Sequence, residues 1–172
     1  MAGSILKGIF NKQYTIGELM NIDSARQGRA SVCQVKLIKT YHEVKRENLL
    51  DKFKSLFTGK SSVITYFIIF KFQVTSGSGH SYNVFIRTNP DFSLKNWASN
   101  TVKIYCECAD FKYRSAYTLD KRNSLFKTPK IQSALGSALS DAPTRGTTLL
   151  CKHSYAALQW LMNNWSSIMK TI

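Results

Sequence analysis

Residues 101–114 read TVKIYCECADFKYR, a short apolar run that ends in two cysteines one residue apart, Cys106 and Cys108. Residues 149–158 read LLCKHSYAAL and carry a second pair at the same offset, Cys151 and His153. TVKIYCEC has the β-branched and aromatic content of a strand. Residues i and i+2 of a strand point to one side, so both thiols can face one point at the strand end. The second pair stands where a loop enters a helix, which lets Cys151 and His153 turn inward together. Three thiolates and one imidazole are a complete tetrahedral ligand set for zinc. One ion would join a strand end to a helix start. The expected fold class follows: α+β, a small antiparallel sheet with a zinc-fastened ββα-like unit and a C-terminal amphipathic helix.

The competing reading of the four residues is a set of buried thiols beside an unrelated histidine. A disulfide between Cys106 and Cys108 is poorer, because so short a loop is strained. A catalytic zinc keeps one position open for water and needs a nearby base. Here four protein ligands fill the shell, so the expectation is one structural Zn2+ and no enzyme. Glu107 and Asp110 flank the first pair and read as solvated charges or a helix cap. The chain contains no GxGxxG, no Walker loop, no HExxH and no GxSxG.

Outward from the two pairs, the pattern gives the other elements. Thr15 and Glu18 have capping-box spacing ahead of Leu19 and Met20, which predicts a short helix near the start. Residues 31–44 read as a strand in which Cys33, Val35 and Leu37 alternate with Gln34 and Lys36, making Cys33 an inert buried thiol. Residues 62–75, SVITYFIIFKFQVT, read as a long, largely buried strand. The turn residues SGSGH and a renewed alternation in SYNVFIRT make this a β-hairpin. Residues 89–100 read as a loop. DFKYRSAYTL predicts a short helix with Asp110 as its cap and with Phe111 in the core beside the metal. Residues 123–148 read as a polar connection with a little helix at IQSALGSAL. From Cys151, the residues Tyr155, Leu158, Leu161, Met162, Trp165 and Ile168 recur at helical spacing. The expected organisation is an N-terminal segment, 1–30, and a single zinc-binding domain, 31–172.

At 172 residues the chain can bury a substantial core, and 44% hydrophobic content is too high for a disordered chain. The longest apolar run, Val63 to Phe70, is far short of the roughly twenty residues that a membrane-spanning helix needs. The start, MAGSILKGIFNKQ, lacks the sustained apolar core of a signal peptide, so secretion by that route and a membrane partner are not expected. A net charge of +14 suits nucleic acid, an anionic membrane surface or an acidic protein. The basic residues are scattered, with no dedicated tail. Lys112 and Arg114 are candidate anion contacts, although Arg114 also lies one helical turn from Asp110. In ENLLDKFKSLFTGK, Leu49, Leu50, Phe53, Leu56 and Phe57 form a helical stripe, read as core packing or as a partner-packing face.

The pattern CEC then CKH resembles the SWIM-type zinc finger, Cys-x-Cys followed by Cys-x-His in a ββα arrangement. All four ligands match, at Cys106, Cys108, Cys151 and His153; the spacer, Ala109 to Leu150, is longer than the family's. Members of that family are associated with DNA or protein binding. The surroundings, CECADFKYRSAY and LLCKHSYAAL with the preceding hairpin, resemble small virion proteins of tailed bacteriophages over roughly residues 62–165. That resemblance implies a non-catalytic assembly subunit in the tail, baseplate or neck region. It implies other virion proteins as partners, in multiple copies, and location in a virion assembled in the host cytoplasm. The alternative is a SWIM-type module that binds DNA or RNA through its basic surface.

Overall fold

The computed structural model describes residues 12–45, 65–89, 92–140 and 148–172. In chain order the elements are α1 (Ile16–Met20), α2 (Ser24–Ser31), β1 (Gln34–Lys45), β2 (Thr65–Thr75), β3 (Ser81–Thr88), β4 (Val102–Cys106), α3 (Ala116–Lys121), α4 (Pro129–Leu135) and α5 (Lys152–Ile168). The four strands form one antiparallel sheet in the order β1-β2-β3-β4. The α+β class expected from the sequence is the class observed.

Strict alternation builds a two-faced sheet. Phe70, Phe72 and Val74 of β2, Val84 and Ile86 of β3, and Val102 and Ile104 of β4 are all fully buried on one face. The residues between them, among them Ile69, Lys71, Phe85, Arg87 and Lys103, point to the other. The β2–β3 hairpin turns through SGSGH, where the Ser76 N–H donates to His80 O at 2.8 Å. Gly79 takes φ +85, a conformation that glycine adopts without the Cβ penalty of other residues.

β1 slips register between Leu37 and Lys39, leaving Ile38 exposed. Before this bulge, Leu37 pairs with the buried Phe72; after it, Thr40 pairs with the buried Phe70 and Tyr41 with Ile69. Alternation counted straight from Leu37 would turn Tyr41 inward. The extra residue reverses the phase and turns Tyr41 to the outer face.

α5 packs across the inner face of the sheet. Its Trp165 meets Phe70 edge-on at 5.8 Å, and its Trp160 meets Phe72 at 5.6 Å. Ala157, Leu158 and Leu161 are fully buried beneath it. Each large apolar side chain removed from water in this way contributes about 1.5–3 kcal/mol. α1 closes one end of the core with Ile16 and Leu19, and its capping box is complete: the Thr15 hydroxyl accepts from Glu18 N, and Glu18 Oε2 accepts from Thr15 N.

Several elements differ from the sequence expectation. α2 is an additional helix over Ser24–Ser31, capped by Asp23, whose carboxylate accepts from Arg26 N at 2.8 Å. Its apolar content is low, which hides it from a search for apolar periodicity. β1 therefore begins at Gln34, and Cys33 is half-buried, with its thiol near Arg29 O at 3.5 Å. β2 is not buried throughout: from Phe70 to Val74 buried positions alternate with the half-buried Lys71 and the exposed Gln73, which lie on the outer face. Asp110 makes no capping hydrogen bond; its carboxylate pairs with Arg114 at 3.2 Å. The loop before β4 contains a 3-10 turn over Leu94–Ser99. The stripe Leu49, Leu50, Phe53, Leu56 and Phe57 lies outside the described residues. Among the described residues, no helix is long and apolar enough to cross a membrane.

Candidate metal centre

Cys106 is the last residue of β4, and its pairing with the buried Val84 of β3 turns its side chain inward. The Glu107 N–H still donates to Asn83 O at 3.1 Å, holding the chain against β3 for one more residue before it bends through Cys108. A helical stretch follows at once. The Phe111 N–H donates to Cys108 Sγ at 3.4 Å, and Phe111–Ser115 form a wide π turn that runs into α3. Phe111 is fully buried, as its expected place beside the cluster required.

The second pair comes from the start of α5. Cys151 is the N-cap residue, and its sulfur accepts from the Ser154 N–H at 3.3 Å. The unpaired N–H groups and positive end of the helix favour negative charge there. His153 stands in the first turn. The segment before it is held from two sides: Arg26 Nη1 of α2 donates to Leu150 O at 3.4 Å, and the Thr148 N–H donates to Arg114 O at 3.3 Å.

The spacer between the pairs folds back on the sheet. Leu125 bridges to Ile104 in parallel, with the Ile104 N–H donating to Ser124 O at 2.9 Å and the Phe126 N–H to Ile104 O at 3.0 Å. This return covers the free edge of β4. It also absorbs chain length while keeping the start of α5 close to the end of β4.

The four expected ligands meet. One donor atom from each of Cys106, Cys108, Cys151 and His153 lies within 4.8 Å of every other, and all four residues are buried. Zinc bonds of about 2.3 Å to sulfur and 2.0–2.1 Å to nitrogen separate tetrahedral donors by roughly 3.5–3.8 Å, so a small contraction brings the cluster to bonding distance. The histidine carries the strongest test of fit. Neither ring nitrogen of His153 has a hydrogen-bond partner, although both are buried. An orphaned polar group of this kind costs about 1–3 kcal/mol, and a metal ion satisfies one of the two nitrogens. The Tyr82 ring lies 4.6 Å from the imidazole and closes the site on that side.

The three thiols of the cluster differ in how readily each ionises. Burial pushes the Cys106 thiol well above its ordinary value, reinforced by its hydrogen bonds to Cys108 and Cys151. At Cys108, the hydrogen bond with Cys106 acts downward but is outweighed by the one with Cys151 and by burial, which push the thiol up to about 12. Burial also opposes ionisation of Cys151, yet hydrogen bonds from Cys106, Cys108 and Ser154 hold its pKa well below the usual thiol range. The arrangement gathers several hydrogen-bond donors around one sulfur, in a cluster that can exchange its thiol protons for one metal ion.

Of the other expected site residues, Lys112 Nζ donates to Ala134 O at 2.9 Å near the end of α4, and Arg114 holds Asp110. Both cations thus have intramolecular partners. The sequence reading missed Arg26 and Tyr82. An arginine in a polar helix and a tyrosine beside a turn carry no sequence signal that they will pack around a site contributed by distant residues.

The chain matches no known protein-family model, no curated protein and no solved structure.

Proposed function

We propose that the chain is a non-catalytic assembly subunit whose sheet and C-terminal helix are fastened together by one structural zinc ion. The observation that carries this reading is the complete and buried donor set: three thiols and an imidazole fill a tetrahedral shell. The neighbouring carboxylates are engaged elsewhere, Glu107 with the Asn83 amide at 2.8 Å and Asp110 with Arg114. In this reading the ion cross-links Cys106 and Cys108 at the end of β4 to Cys151 and His153 at the start of α5. Its binding free energy then contributes directly to folding.

The proposal extends to the virion of a tailed bacteriophage as the subunit's setting, and what supports this step is the SWIM-like ligand order and the resemblance of the surrounding residues. Its neighbours are other virion proteins in the tail, baseplate or neck. Purified particles of the encoding phage should contain the chain in multiple copies, at constant stoichiometry to the major structural proteins through a density gradient. Recovery of the chain only in the unassembled fraction contradicts the virion assignment without touching the zinc site. Nucleic-acid contact is a second reading, favoured by the net charge and by the arrangement of cations on the outer face of the sheet.

A further inference from the structure

The outer face of the sheet carries two hollows with a common wall. One, of about 450 Å³, is lined largely by aromatic and apolar groups, with Tyr41, Phe85, Tyr105 and Phe126 among them. The other, of about 410 Å³, is lined by Arg87, Lys103 and Lys127, with Glu43 as its carboxylate. Ile69, Phe126 and Thr128 belong to both. Each lies in the size range of small-ligand sites.

Strand register produces this pairing of chemistries. Tyr41, Ile69, Arg87 and Lys103 stand side by side across β1, β2, β3 and β4, and Lys39, Lys71, Phe85 and Tyr105 form the adjacent row. The β1 bulge is what brings Tyr41 into the first row. Phe85 lies nearly parallel to Phe126 at 5.7 Å, with Lys71 Nζ 5.7 Å from its centroid. Tyr41 is 38% exposed, so part of its ring is open to solvent.

The cationic half is under-neutralised. Arg87 pairs with Glu43 at 2.6 Å and Lys127 pairs with Asp120, but Lys103 donates to the neutral Asn123 Oδ1 at 2.7 Å. An ammonium has three donors, so Lys103 keeps others for an anion. Burial, followed by the charges of Arg87 and Lys127, lowers its pKa, as expected for a crowded cation that an anion would relieve. Lys71 and Lys130 add two more positive charges at the aromatic half, against Glu107.

We propose that this composite groove binds single-stranded nucleic acid, seating a base in the aromatic half and the adjoining phosphate against Lys103, Arg87 and Lys127. A flat π-faced group beside a phosphate fits both halves at once. A run of acidic residues satisfies only the cations, whereas every nucleotide of a strand carries both a flat base and a phosphate. The inference rests on the nucleic-acid reading and is independent of the zinc and virion readings.

The test is fluorescence anisotropy of the full chain with a labelled single strand of about ten nucleotides, a length matched to typical single-strand sites. Two triple variants lose the same charge: Lys71→Gln, Lys103→Gln and Lys130→Gln in the groove, and Arg29→Gln, Lys95→Gln and Lys170→Gln at exposed positions outside its lining. The wild type should bind at low salt and weaken steeply as salt rises. The groove variant should lose about tenfold or more in affinity, and the control variant much less. Tyr41→Leu, which leaves the charge unchanged, should weaken binding about fivefold or more through lost stacking. It carries the test if the groove triple variant melts early. Equal losses in both triple variants, or full affinity in Tyr41→Leu, overturn the groove while leaving nucleic-acid binding standing. Absence of wild-type binding at low salt removes the nucleic-acid reading as well. Displacement of the strand by polyglutamate or by adenosine monophosphate at an equal concentration of charged groups also overturns the proposal, in favour of a peptide or a free nucleotide.

Discussion

The two faces of one sheet have opposite fates. On the inner face, Phe70, Phe72, Val84, Ile86 and Ile104 pack under α5, and at its edge four metal-capable side chains are sealed from solvent. On the outer face the same strands present Lys71, Phe85, Arg87 and Lys103 around open hollows. Alternation with a period of two separates holding from contact. A residue's parity in the strand therefore forecasts whether its loss affects stability or binding.

The comparison breaks most severely at the cluster of Cys106, Cys108, Cys151 and His153. Chelation, or Cys151→Ser, should lower the melting temperature by about 10 °C or more, read by calorimetry, because metal binding is linked to folding. Ile86→Ala, on the inner face of β3, comes next: a buried isoleucine cut back to alanine costs about 2–5 kcal/mol in denaturant unfolding. Thr15→Ala removes the capping hydroxyl of α1 and should cost about 1 kcal/mol. Lys71→Gln, on the outer face of the neighbouring strand, should leave stability within about 0.5 kcal/mol. If Lys71→Gln destabilised the protein as much as Ile86→Ala, the two faces would not differ as described.

Much of the inner face was legible in the sequence, because burial leaves a periodic trace. The hairpin, β4, α5 and the convergence of Cys106, Cys108, Cys151 and His153 all follow from alternation, turn residues and ligand spacing. The outer face was not legible in the same way. SVITYFIIFKFQVT reads as continuously buried, since Ile69 and Phe67 are as apolar as Phe70; only their partners across the sheet, Tyr41 and Glu43 of β1, reveal that they face a half-open surface. Tyr41 faces outward because of a bulge that no residue between Leu37 and Lys39 announces. The pattern of α2 is hard to read because it buries only Ala30 and Arg26, and a buried arginine carries no apolar signal. The return of Leu125 along β4 depends on backbone pairing, which side-chain pattern does not encode. Lys112 and Arg114 stood out as cations beside the metal motif; the four-residue spacing already offered Asp110 to Arg114, whereas nothing in the sequence pointed Lys112 to Ala134 O.

The central claim, that one ion fastens the end of β4 to the start of α5, is tested most directly by native mass spectrometry of the purified chain combined with melting of the same sample in chelator. The account expects one zinc per wild-type chain, its loss in Cys106→Ser and Cys151→Ser, and a lower melting temperature once the metal is withdrawn. A wild-type chain that carries no metal and melts unchanged in chelator would contradict it.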